Sequence, residues 1–126
     1  MLNLVVIRAQ DIDRLGSFYA ALGFRFIKHR HGEGPEHLSC AIGETVFEIY
    51  PRNGKNESTV STRLGFSVPS LADALGVLRN LDATVLAGPT DSPFGLRAIV
   101  KDFEGHKVEL TEMKREQIPG AGSKLS

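Results

Sequence analysis

At 126 residues the chain has room for one domain with a proper core, but not for two independent ones. Fifteen basic and fifteen acidic residues balance, and no lysine or arginine run is dense enough for a nucleic-acid footprint, so nucleic acid is not an expected partner. The longest apolar stretches, such as Leu4-Val5-Val6-Ile7, fall far short of the ~20 residues that span a bilayer, and one cysteine, Cys40, excludes an intramolecular disulfide framework; a soluble cytoplasmic protein without a membrane partner is the expectation.

Residues 2–8 form a β-rich run. Asp11 is placed to cap a helix whose apolar positions Ile12, Leu15, Phe18, Tyr19 and Leu22 recur at three- and four-residue spacing, and Gly23 ends it. Residues 24–30 then read as a strand and Gly32-Glu33-Gly34-Pro35 as a loop. Residues 37–42 and 45–50 read as a hairpin around Gly43-Glu44. The polar, turn-rich residues 52–58 are the linker.

The same order then returns. Residues 63–68 read as a strand, and Ser70 caps a helix with Leu71, Ala74, Leu75, Leu78 and Leu81 on one face. A short strand follows at 84–86, a loop at 88–93, and a hairpin of 96–101 with 106–111 turning at Phe103-Glu104-Gly105. Both halves are therefore βαβββ, module one about 1–51 and module two about 62–113, making a single domain over 1–113. Residues 114–126 lose apolar periodicity and are expected to be a flexible tail.

Alternation assigns side chains to faces. Val108 and Leu110 are the apolar set of the last strand, so Lys107, Glu109 and Thr111 face the other way. Glu48 likewise faces away from Phe47 and Ile49, with Val46 and Tyr50 beside it. Arg63, Gly65 and Ser67 lie opposite Leu64, Phe66 and Val68, while Leu4, Val6 and Arg8 share one face of the first strand. His37, with Ser39 and Ala41, is placed on the same side as Glu48, and Cys40 on the apolar side, where it is inert. His29 and His31 are read as solvent-exposed and His106 as a surface residue; none of the histidines has a metal-binding spacing such as HExxH.

The segment VVIRAQDIDRLGSFYAALGF at 5–24, the FEI around Glu48, and PFG followed by KDFEGHKVEL at 101–110 together resemble the vicinal oxygen chelate superfamily. That group holds glyoxalases, bleomycin resistance proteins and extradiol dioxygenases. The resemblance implies an α+β fold, two βαβββ modules forming a curved mixed β-sheet around a cleft with the helices on the outer face. It also implies a homodimer. Metal-dependent members draw ligands from four strand positions, which here are Leu4, Glu48, Arg63 and Glu109. The two glutamates match. Leucine offers no donor atom, and a guanidinium has no free lone pair. If Arg63 projects between the two glutamates, its charge takes the electrostatic place of a metal and pairs with one or both of them.

Phe94 and Gly95 in the PFG turn, Arg97, Ile99, Tyr50, Phe26 and His37 would together supply a partly aromatic pocket with a cationic edge, suited to a small organic molecule with an anionic or polar group. Phe26 and Phe94 read equally well as core packing, Arg97 as a surface residue, and Glu48 and Glu109 as an ion-paired scaffold around Arg63. Two functions compete. The first is a metal-free small-molecule-binding protein, similar in type to the bleomycin-binding branch, that sequesters a ligand using Glu48, Arg63, Glu109, His37, Tyr50, Phe94 and Arg97. The second is a glyoxalase-type lyase or isomerase in which Glu48, Glu109 and His37 hold Ni, Zn, Mn or Fe and Glu48 or Glu109 moves a proton. A third reading, metal-free proton abstraction with Arg63 as electrophile, needs a glutamate whose pKa is raised, which pairing with Arg63 opposes. Extradiol dioxygenase iron requires a two-histidine, one-carboxylate set that the matching positions lack.

Overall fold

In a computed structural model, which describes residues 1–113, the order β-α-β-β-β occurs twice. Module one consists of β1 (Leu4–Ala9), α1 (Ile12–Ala21), β2 (Ile27–His29), β3 (His37–Ile42) and β4 (Thr45–Pro51). Module two consists of β5 (Leu64–Ser67), α2 (Leu71–Asn80), β6 (Thr84–Ser92), β7 (Gly95–Lys101) and β8 (Lys107–Met113). Each module makes a four-stranded mixed sheet, in the orders β1-β4-β3-β2 and β5-β8-β7-β6. The first strand of each runs parallel to the last, and the other pairs are antiparallel. The α+β class and the duplicated βαβββ plan are thus as expected. The tail expected at 114–126 lies outside the described residues.

Both helices begin on side-chain caps. The Asp11 carboxylate accepts the Arg14 N–H at 3.0 Å, and the Ser70 hydroxyl accepts the Asp73 N–H at 3.1 Å. Glu112 Oε1 accepts a further first-turn donor, the Leu71 N–H, at 2.8 Å, which ties α2 to β8. The apolar stripes of α1 (Leu15, Phe18, Tyr19) and α2 (Leu71, Ala74, Leu75, Leu78) pack on Ile7, Ala9, Phe47, Ile49, Val100, Val108 and Leu110. Both modules share this one core. Each large apolar side chain buried there contributes roughly 1.5–3 kcal/mol of transfer free energy.

The KDFEGH segment between β7 and β8 joins the modules. The Phe103 ring meets Phe18 edge-on at 5.5 Å and lies under the Arg14 guanidinium at 4.9 Å. Glu104 accepts the Gln10 N–H at 3.0 Å and pairs with Arg52 at 3.4 Å. Asp102 turns inward, and so does His106, which is fully buried rather than on the surface as its position after a glycine turn had implied. The Asp102 carboxylate pulls it in: His106 Nδ1 lies 2.9 Å from Oδ2, and the His106 backbone N–H donates to Oδ1 at 3.0 Å.

Three element boundaries differ from expectation. Within 24–30 only Ile27–His29 is strand, because Phe24 and Phe26 turn into the core, with rings 5.0 Å from Phe66 and 5.9 Å from Phe47. Of the loop expected at 88–93, residues 88–92 belong to β6, an edge strand with register shifts on either side of Ala87; an edge tolerates the missing N–H of Pro89. Leu81 caps the C-terminus of α2 and is exposed, since the chain leaves the helix there and takes φ 60° at Asp82. No helix among the described residues is long and apolar enough to cross a membrane.

Candidate functional site

The helix-free face of each sheet is fixed by alternation. Phe47 and Ile49 are buried under α1, so Val46, Glu48 and Tyr50 of β4 point the other way. Cross-strand register adds Leu4, Val6 and Arg8 of β1, Ser39 and Ala41 of β3, and Ile27 of β2. In module two the same logic places Lys107, Glu109 and Thr111 of β8, Gly65 and Ser67 of β5, and Arg97 and Ile99 of β7 on that face. Glu48 pairs across β1 with Val6, and Glu109 across β5 with Gly65, so the two glutamates hold equivalent places in the duplicated plan.

Each glutamate meets a basic side chain from the same relative position. The direct cross-strand neighbour of Glu48 is Ser39, and two residues before it stands His37; the neighbour of Glu109 is Ile99, and two residues before it stands Arg97. This diagonal brings long side chains within reach of each other. In module two the result is a tight pair: Arg97 Nε lies 2.8 Å from Glu109 Oε1, and Arg63 Nε lies 3.6 Å from Oε2. Arg63 therefore serves Glu109, and among the described residues it makes no ion pair with Glu48, so it does not bridge the two carboxylates.

Module one is built differently. His37 Nε2 lies 3.6 Å from Glu48 Oε2, beyond hydrogen-bond length, and the His37 side chain is almost wholly buried. Nδ1 lies 3.2 Å from the Pro35 carbonyl oxygen, and Nε2 has no hydrogen-bond partner among the described residues. The Tyr50 ring stacks on His37 at 4.2 Å with 8° between planes, and the Arg8 guanidinium lies 5.3 Å from the Tyr50 centroid. Arg8 also donates to the Pro51 carbonyl at 3.1 Å and lies 3.9 Å from Glu57.

The other named residues divide clearly. Phe26 belongs with the core cluster. Phe94, at the tip of the β6–β7 turn, is 70% exposed and is not core packing. Gly95 starts β7 at φ 131°, and Cys40 is buried in the apolar layer. His29 and His31 are solvent-exposed as expected, yet their rings lie 5.9 and 5.1 Å from that of His37. Sequence reasoning missed this gathering of rings. Its signal was the HxH spacing at 29–31 opposite a strand that begins with histidine, since the β2–β3 register sets His29 against His37.

A divalent metal does not fit the four equivalent strand positions. Leu4 has no donor atom, Arg63 is a cation, and Glu109 is already engaged by two guanidinium groups. Among the described residues no group of three His, Cys, Asp or Glu side chains is arranged to hold a metal ion.

The chain belongs to the Glyoxalase/Bleomycin resistance protein/Dioxygenase superfamily, whose model matches residues 1–110. No curated protein matches it in sequence. Among solved structures it is similar to TnmS3, an antibiotic binding protein from Streptomyces sp. CB03234, at 19% identity and TM-score 0.71, covering 90% of this chain and 96% of that one. It is similar to TioX from Micromonospora sp. ML1 at 18% identity and TM-score 0.70, covering 90% and 99%. A glyoxylase/bleomycin resistance protein/dioxygenase domain from Frankia sp. EAN1pec aligns at 17% identity and TM-score 0.68, covering 90% and 91%. At these identities the likeness is one of fold.

Proposed function

We propose that this chain is a cytoplasmic, homodimeric small-molecule-binding protein that sequesters its ligand on the helix-free face without a metal and without bond chemistry. The observation that carries the reading is the pair of guanidinium groups on Glu109, 2.8 and 3.6 Å away. They set fixed positive charge where a chelated dication would stand, and a dication beside them is repelled. The antibiotic-binding role of TnmS3 supports the same class of function. Leu4, Val6 and Ile27, which are 49%, 36% and 64% exposed on that face, support its being covered by a second copy or a ligand.

The alternative is a divalent-metal lyase or isomerase using Glu48, Glu109 and His37. One observation favours it, the unpartnered His37 Nε2 beside Glu48. Against it, Glu109 is held by arginine in the other module.

Ligand screening by thermal shift in metal-free buffer tests the proposal. An organic ligand is expected to raise the melting temperature with concentration, stabilising by about 2.7 kcal/mol at a hundred times its Kd. The shift is expected to disappear in Arg97→Ala or Glu48→Gln. Metal-dependent turnover of a glyoxalase-type substrate would replace this reading with the alternative.

A further inference from the structure

We infer that the corner formed by Glu48, His37 and Tyr50 is a subsite for a cationic N–H donor of the ligand, a protonated amine or an amidinium group. This rests on the ligand-binding reading of the helix-free face and names the chemistry it selects.

The argument starts from the imidazole. A carbonyl oxygen only accepts, so the 3.2 Å approach of His37 Nδ1 to the Pro35 oxygen assigns the proton to Nδ1 and leaves a lone pair on Nε2. That nitrogen is buried, has no partner among the described residues, and faces Glu48 Oε2 at 3.6 Å. An imidazolium–carboxylate pair would close to about 2.7–2.9 Å. Two acceptors instead stand side by side with no donor between them among the described residues, and a buried polar atom of this kind calls for a partner. A group carrying two N–H donors, or an ammonium, satisfies both at once.

The other module shows what a completed corner looks like. At the equivalent diagonal position Arg97 supplies the cation from within the chain. His37 replaces that arginine in module one, and the cation must come from outside. The nearby arginines do not supply it: Arg8 is taken up by Pro51, Glu57 and the Tyr50 ring, and Arg30 lies 3.7 Å from Glu36. Tyr50 stacks on His37 at 4.2 Å and carries Arg8 over its ring, so its role is to hold the imidazole in place, while the His31 and His29 rings, 5.1 and 5.9 Å from that of His37, lie beside the corner. A carboxylate or phosphate would instead face the Glu48 carboxylate.

The test uses the full chain with four probes of similar size: benzamidine, benzylamine, benzoate and benzyl alcohol. Binding is read from the imidazole nitrogen resonances by NMR. Benzamidine and benzylamine are expected to shift His37 Nε2 saturably while leaving the buried His106 unmoved. Glu48→Gln, which keeps the side-chain shape, is expected to weaken them at least tenfold, and His37→Gln gives a second, independent loss. Equal binding of benzoate or benzyl alcohol, undiminished binding in Glu48→Gln, or no shift of His37 would each overturn the subsite. So would stoichiometric zinc shifting the same resonance in the absence of any probe. If the ligand screen yields only anionic or neutral molecules whose binding is lost in Arg97→Ala but kept in Glu48→Gln, the subsite falls and the binding function stands. If nothing of any charge binds, both fall.

Discussion

The Tyr19 hydroxyl donates a 2.6 Å hydrogen bond to Asp102 Oδ2, joining the helix of module one to the last hairpin of module two across 83 residues of sequence. The other carboxylate oxygen accepts the N–H groups of Glu104, Gly105 and His106 at 2.9–3.0 Å. His106 Nε2 in turn lies 2.7 Å from Thr59 Oγ1, which accepts the Arg8 N–H at 2.9 Å, so the chain of bonds returns through Thr59, just after the linker, to β1. Tyr19→Phe keeps the ring in its aromatic cluster and removes only the bond. Stability in urea is expected to fall by about 1.5–3 kcal/mol with an unchanged m-value, because the buried Asp102 carboxylate is left short of a donor. A loss within error of zero would show that this bond adds nothing to the packing and the remaining polar links between the modules.

The same network sets a pH window. Burial works to raise the Asp102 pKa, but hydrogen bonds from His106 and Tyr19 more than offset it and hold the carboxyl below the ordinary aspartate range. Its stabilisation is therefore full above the unfolded aspartate pKa of about 3.9 and is lost as pH falls toward the folded value. Burial first, then the charge and hydrogen bond of Asp102, push Tyr19 far above the ordinary tyrosine range. That contribution is present below the unfolded tyrosine pKa of about 10 and is lost as pH rises above it. Urea midpoints measured from pH 3 to 11 are expected to fall at both ends. In Tyr19→Phe the alkaline loss should shrink, and its persistence would assign it to other groups.

Gly95 opens β7 where its backbone packs directly against that of β8. At φ 131°, a β-carbon there would overlap the Glu112 carbonyl oxygen and lie 3.1 Å from Met113 Cα, all backbone that cannot move aside. Gly95→Ala is expected to cost more than about 2 kcal/mol. Gly43→Ala, at φ 59° with open space around the new methyl, is expected to cost only about 1 kcal/mol. Equal costs would mean that the β7–β8 end is free to shift.

Much of this was legible in the sequence, because strands alternate strictly. The facing of Glu48 follows from Phe47 and Ile49, that of Glu109 from Val108 and Leu110, and the helix starts from Asp11 and Ser70, whereas Arg97 reads equally as a surface residue until the β7–β8 register is known. What alternation cannot supply is which residue across the sheet answers each glutamate. That depends on register, and register assigned Arg63 to Glu109 rather than to both. His106 escapes alternation because it sits where a turn ends; the Asp102 carboxylate on Nδ1 and Thr59 on Nε2 account for its burial. At residues 88–92 Gly88-Pro89 signals a loop, whereas an edge strand accommodates both.

Leu4 and Val6, exposed apolar neighbours on the edge strand β1, give a direct test of the proposed dimer. Light scattering after size exclusion is expected to return twice the chain mass for the natural protein and a monomer for Val6→Lys, since burying a lysine among apolar groups is unfavourable. A natural protein that is monomeric at working concentration would remove the dimer and leave the ligand face on a single chain.

The most direct measurement is metal content after equilibrating the protein separately with Ni, Zn, Mn and Fe(II) and dialysing. With Arg97 and Arg63 on Glu109, and Leu4 in place of a ligand, the natural protein is expected to keep far less than one equivalent of each, and Glu48→Gln to behave the same. Close to one equivalent of any of these metals, lost in Glu48→Gln, would contradict the binding-protein account and make the chain a metal-dependent member of its superfamily.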